Sequence, residues 1–137
     1  MSSRGELLSW AGCYIDGDGY LAIRRKLLAT LRPKYELDLR VVTTSNIGPN
    51  RLRSILGGTV RRWSRNDGVR KDAYCWRLSG TRAIAALDAL WPYFVVKRRE
   101  ADLAVRMFEQ GRYLSAAEHE AIYNEVRGLK CRQRGKK

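Results

Sequence analysis

From Leu7 to Ile15 the chain carries no charged side chain, and this stretch ends abruptly in Asp16-Gly17-Asp18-Gly19. Ser3 and Glu6 precede it in the S-x-x-E spacing of a capping box, so the pattern predicts a helix from about Gly5 to Asp16. Leu8, Ala11, Gly12 and Ile15 fall on one stripe of that helix, while Leu7, Trp10 and Tyr14 occupy the rest of its circumference. A helix apolar nearly all round has to be covered on more than one side. The whole chain is 137 residues, one domain's worth, too little to surround a helix completely. The economical arrangement sets one side on the chain's own sheet and the small-residue side (Ser9, Ala11 or Gly12, Cys13) against a second helix, from another copy of the chain. Leu8, Ala11, Gly12 and Ile15 are the expected dimer interface.

After Gly19 the apolar period changes to two. Leu21, Ile23 and Leu27 alternate with Tyr20, Ala22, Arg24 and Lys26. Beyond a turn near Arg32-Pro33, Leu37, Leu39 and Val41 alternate with Glu36, Asp38, Arg40 and Val42. This is a hairpin with one apolar and one polar face. Gly48-Pro49 opens a short helix with Leu52, Ile55 and Leu56 inward, closed by Gly57-Gly58 where a left-handed cap belongs. A second hairpin runs from Thr59 to Arg65, turns at Asn66-Asp67-Gly68 and returns from Ala73 to Ser79, with Arg61, Arg65 and Arg77 on its polar face. Thr81 is placed to cap a third helix, Arg98 to Gln110 has helical spacing, and Ser115 with Glu118 forms another capping box. The fold class is therefore α+β, in the order αββαββα with further C-terminal helices. One domain spans residues 1–129, and residues 130–137 form a basic tail.

Charge narrows the partners. There are 27 Lys and Arg against 14 Asp and Glu, a net +13 and a pI near 10.2, an excess suited to a polyphosphate such as nucleic acid. No apolar run approaches the ~18 residues a membrane span needs, so no membrane association is expected. Cys13, Cys75 and Cys131 are odd in number and widely spaced, with His119 the single histidine. That indicates neither a disulfide frame nor a zinc site but free thiols in a reducing interior. The expected setting is intracellular: cytoplasm, nucleoid or an organelle with its own DNA.

In so basic a chain the two acids at the end of the first helix need a reason. The helix macrodipole already places negative potential there, so each carboxylate is unfavourable by up to ~1 kcal/mol until something positive arrives. Hard oxygen donors at such a point suit Mg²⁺ or another divalent cation. A plain solvated turn is the alternative. An EF-hand is a poorer explanation, because the next acid after Asp18 is Glu36 and the remaining ligand positions are empty.

Ala11-Gly12-Cys13-Tyr14-Ile15-Asp16-Gly17-Asp18-Gly19 resembles the signature of the LAGLIDADG homing endonucleases, departing from it at Ala11, where Leu is usual, and at Cys13, where Gly is usual. The Val42 to Asn46 segment, the helix and Gly57-Gly58 after it, and Trp91-Pro92-Tyr93-Phe94 leading to Lys97 extend the likeness over about residues 5–110. A single signature implies the single-motif type, in which the signature helices of two chains pack around a dyad above a concave antiparallel DNA-binding sheet. The resemblance implies Asp18 and the Gly19 carbonyl as metal ligands, Lys97 as the basic group, and Ser45 or Asn46 as the water-positioning residue, with Asp16 serving the helix end. The cofactor implied is Mg²⁺ or a similar cation, and the partner is double-stranded DNA, read as a long pseudo-palindromic site near an intron or similar insertion. Arg24, Lys26, Arg40, Arg61, Arg65 and Arg77, with Trp63 on the same parity, are the candidates for DNA contact. The alternatives are a cleavage-deficient protein of the same fold, an intron maturase or transcription regulator, and a small basic RNA-binding protein. The last is disfavoured by a polar sheet face richer in Arg and Lys than in stacking aromatics.

Overall fold

The computed structural model describes residues 3–27, 33–64 and 72–135. Helix α1 (Arg4–Asp18) leads directly into strand β1 (Gly19–Leu27), followed by β2 (Pro33–Thr43), α2 (Ile47–Leu56), β3 (Thr59–Trp63), β4 (Ala73–Ser79), α3 (Thr81–Leu90), α4 (Arg98–Glu109) and α5 (Ala116–Gly135). Single 3₁₀ turns at Trp91–Tyr93 and Gly111–Tyr113 join the last three helices. The element order is the one the periodicities predict, and α5 takes in the first residues of the basic tail. Among the described residues no helix is long and apolar enough to cross a membrane.

Both hairpins form, and all strand pairs are antiparallel in the order β1-β2-β4-β3, so the two hairpins meet through β2 and β4. Strand alternation then makes two faces. Leu21, Ile23, Leu37, Leu39, Val41, Trp76 and Leu78 point inward and are nearly or wholly buried. With Ala11, Ile15, Leu52, Leu87, Leu90, Phe94, Ala104 and Val126 from the helices they make one core. The opposite parity forms an outer face. Across β1 and β2 it pairs Tyr20 with Arg40, Ala22 with Asp38 and Arg24 with Glu36; from β2 to β4 it sets Arg40 beside Arg77 and Val42 beside Cys75. Thr59, Arg61 and Trp63 of β3 complete it, opposite Arg77, Cys75 and Ala73.

The punctuation follows the sequence with one change. Ser3 accepts from the Glu6 amide at 3.1 Å, and Ser115 and Glu118 cap each other reciprocally. Gly57 and Gly58 both have positive φ, 82° and 93°. Gly58 is needed twice over, since a Cβ there would lie 2.5 Å from the Arg77 carbonyl oxygen. The Trp76 indole nitrogen donates to the Gly57 carbonyl at 2.9 Å, tying the end of α2 to β4. Thr81 does not cap α3; Gly80, at φ 72°, is the cap and Thr81 is the first helical residue.

Most of the residues expected at the dimer face are already engaged within the chain. Ala11 and Ile15 are wholly buried in the chain's own core, and Leu8 packs partly against it. Gly12 is also buried: a Cβ on it would lie 2.7 Å from Cβ of Tyr93 in the same chain. The turn at Trp91–Tyr93 closes over the Gly12 side of α1, which helical spacing left open. The outward side of α1 is instead Ser9, Cys13 and Gly17, four residues apart, with Cys13 and Gly17 exposed.

Candidate active site and nucleic-acid interface

The acidic end of α1 is built by contacts from two distant parts of the chain. Gly19 begins β1 against Val41, and a Cβ there would lie 2.7 Å from the Arg40 carbonyl oxygen. Only glycine lets the helix end approach the β2 backbone so closely. Asp16, buried at the last turn, reaches the segment before α4: Oδ2 accepts from the Val96 amide at 3.0 Å and Oδ1 from the Lys97 amide at 2.8 Å. Burial disfavours its charge, but those amides, that of Val95 and the Lys97 ammonium outweigh burial and hold the carboxyl below the usual range.

Lys97 is equally specific. Its residue is 8% exposed, and its Nζ donates to the Asp16 carbonyl at 2.6 Å. The last turn of α1 has no basic residue of its own. Lys97 therefore supplies the cation that the negative helix end lacks, from 81 positions away. Asp18, by contrast, is exposed; burial, and after it the Asp18 charge, pushes the Tyr14 phenol up. So the two acids of Asp-Gly-Asp-Gly are different in kind: Asp16 is an internal anchor and Asp18 faces outward.

Ser45 and Asn46 lie in the turn between β2 and α2. Ser45 Oγ accepts from the Ile47 amide at 3.3 Å, and Asn46 is the N-cap residue of α2 without a side-chain cap bond. Both are exposed and further along the chain from Val41, the partner of Gly19, than Thr43, the last residue of β2. Thr43 is a polar residue the sequence reading passed over. Its signal was the strand alternation Leu37, Leu39, Val41, Thr43.

The outer face of the sheet carries Arg24, Lys26, Arg40, Arg61, Trp63 and Arg77 together. Trp63 is 46% exposed. Arg65 lies outside the described residues. Two hollows mark this face: one lined by Arg24, Lys26, Glu36, Thr59, Arg77 and Arg82, the other by Arg40, Thr59, Arg61, Trp63, Cys75 and Arg77. At its centre is a residue the sequence reading treated only as one of the polar alternates. Asp38 is 1% exposed, with Arg40 Nε 2.8 Å from Oδ2 and Arg77 Nε donating to Oδ1 at 3.0 Å. Burial pushes the Asp38 carboxyl up against the pull of the Arg40 and Arg24 charges.

A metal ion would find a partial set of donors here. Among the described residues there is no cluster of three or more His, Cys, Asp or Glu, and Asp16 is committed to backbone amides. Asp18 with nearby backbone carbonyls is a hard-oxygen half-site, of the kind Mg²⁺ accepts when phosphate and water fill its remaining positions.

The architecture is that of the LAGLIDADG homing-endonuclease structures. A crystal structure of the homing endonuclease I-CvuI in complex with its target in the presence of Ca superposes with a TM-score of 0.74 at 24% identity, covering 92% of this chain and 83% of that one. A second I-CvuI complex, with the I-CreI target in the presence of Mg, gives 0.72 at 25% identity over 89% and 80%. The homing endonuclease I-TnaI gives 0.65 at 19% over 90% and 92%. Against I-SmaMI, 88% of this chain covers only 43% of that one, at a TM-score of 0.62 and 10% identity. No protein-family model matches the sequence, and no curated protein matches it.

Proposed function

We propose that this chain is a site-specific DNA endonuclease that acts as a homodimer and requires a divalent cation. The observation that carries the reading is the division of labour at the end of α1. One acid is spent fixing Lys97, the other is left exposed two residues on, and the helix that carries both runs directly into a sheet whose outer parity is lined with arginines. The likeness to DNA-bound homing endonucleases supports the same conclusion.

The dimer is supported by a glycine that nothing among the described residues requires. Gly12 and Gly19 are each explained by an intrachain approach, but a Cβ on Gly17 would meet nothing within 4 Å. A helical glycine costs about 1 kcal/mol relative to alanine, and a second copy of α1 packed along Ser9, Cys13 and Gly17 would account for it. Exposed apolar side chains lie on segments that touch α1: Val95 and Val96, 79% and 63% exposed, before α4, and Ile47, 76% exposed, at the start of α2. That dyad would bring the two exposed Asp18 residues together.

In the mechanism, Arg and Lys of the outer face bind and orient the duplex. Lys97, held rigidly by Asp16, places positive charge where charge builds on the attacked phosphate. Asp18 of each copy, with the Gly19 carbonyl, would hold Mg²⁺, whose contribution is a more acidic bound water and a stabilised leaving oxygen. Replacing Asp18 by Asn keeps the size and removes the charge. On a site obtained by selection, D18N should bind as well as or better than the unaltered protein and lose cutting in Mg²⁺. Metal-dependent cutting that survives D18N would refute the endonuclease assignment at this acid.

A further inference from the structure

Asp38 is an anomaly on a surface that faces phosphate. It sits on the outer parity of β2, opposite Ala22 on one side and Ser79 on the other, and is almost completely buried. A buried carboxylate is tolerated only when it is paired, and two arginines converge on it, in unequal ways. Arg40 has its Nε 2.8 Å from Oδ2 but without hydrogen-bond alignment. Its guanidinium carbon lies 5.7 Å from the Tyr20 ring centre. Its side chain is 26% exposed. Arg40 is thus enclosed from two sides and serves as the counter-charge.

Arg77 comes from the neighbouring strand and makes a directed bond through its inner Nε alone. Its side chain is 36% exposed, and it lines both hollows of the outer face. A guanidinium anchored by Nε keeps its two terminal nitrogens for another planar acceptor pair. Guanine presents such a pair, O6 and N7, in the major groove. Restraining the long side chain before DNA arrives removes much of the entropy cost of binding.

We propose that Asp38 is a positioning residue for sequence reading, holding Arg77 so that its terminal nitrogens take one guanine edge in each half-site, with Arg40 as counter-charge. This rests on the DNA-binding reading above. It separates two arginines that sequence alone treats alike, one a reader and one a counter-charge, and gives a role to an acid that adds no affinity of its own.

The test is selection of the full chain against randomised duplexes, compared across variants. The unaltered protein should enrich guanine at one symmetric pair of positions. R77K keeps the charge but lacks the two-pronged edge, and D38N releases Arg77. Both should lose discrimination at that pair by about tenfold or more, with other positions unchanged, and D38N, having shed a negative charge, should bind random duplex at least as tightly as the unaltered protein. Retained guanine preference in R77K overturns the proposal. So does D38N flattening every position alike together with a lowered melting temperature, the mark of a merely structural acid. If D38N does not fold, R77K decides alone. An unaltered protein that enriches no sequence overturns the DNA-binding reading, and this proposal with it.

Discussion

Replacing Asp16 by Asn should damage this protein far more than an exchange of near-isosteres at a helix end ordinarily does. The ionised carboxylate accepts from two backbone amides, Val96 at 3.0 Å and Lys97 at 2.8 Å. Asn has one acceptor oxygen, so its amide nitrogen must face the second amide, donor against donor. A hydrogen bond to a charged group contributes about 1.5–3 kcal/mol, and an amide stranded in a buried site costs a similar amount. The Lys97 amide is buried, so the loss should be ~3 kcal/mol, or roughly a 10 °C fall in melting temperature for a domain of this size. Because the folded carboxyl lies below its ordinary value, its contribution is fully present above the unfolded pKa of about 3.9 and is lost as pH falls through the folded value. The stability gap between the unaltered protein and D16N should therefore be constant near neutrality and close in acid, below about pH 4. Paired thermal melts from pH 7 down to pH 3 measure this. A D16N melting temperature within a degree or two of the unaltered protein at pH 7 would refute the anchor role, as would a gap that widens in acid.

The two sides of α1 should respond differently. G12A places a methyl 2.7 Å from Tyr93 Cβ and should cost about 1–3 kcal/mol by overpacking, read as a lower melting temperature with an unchanged sedimentation coefficient at high concentration. C13R, on the exposed stripe, should give a monomer in sedimentation while the far-UV spectrum keeps its helical and sheet content; a dimer that persists in C13R places the interface elsewhere. Affinity for duplex DNA should fall on the order of a thousandfold between about 50 and 200 mM salt if some six phosphates are neutralised, and a flat salt response in a filter or fluorescence titration would move binding away from the outer face.

The elements were legible because their signals are local. The change from period 3.6 to period 2 after Gly19, the two S-x-x-E capping boxes and Gly57-Gly58 are each written within a few residues, and each appears in place. The parity of Arg24, Lys26, Arg40, Arg61 and Arg77 followed as directly, since strand alternation needs no knowledge of neighbouring strands. So did the reading of Asp16 and Asp18 as an exception in a basic chain.

What each of those residues touches was decided by tertiary structure. Helical spacing said that α1 needs cover on two sides, but not that Tyr93, some eighty positions on, would take the side of Gly12 and leave Cys13 and Gly17 outward. The pairing of β2 with β4 set Arg77 beside Arg40 and delivered both to Asp38, a meeting of strands separated by α2 and β3. Asp16 and Asp18 sit two residues apart in the same glycine-rich turn, with the same chemistry. They part only because the segment before α4 arrives to bond one and not the other. Sequence sets the residue types and the period with which they face one way or another, because those depend on bonds and rotations within a few residues. The choice of contacts depends on which distant segments the buried core brings together, and that is a property of the folded whole.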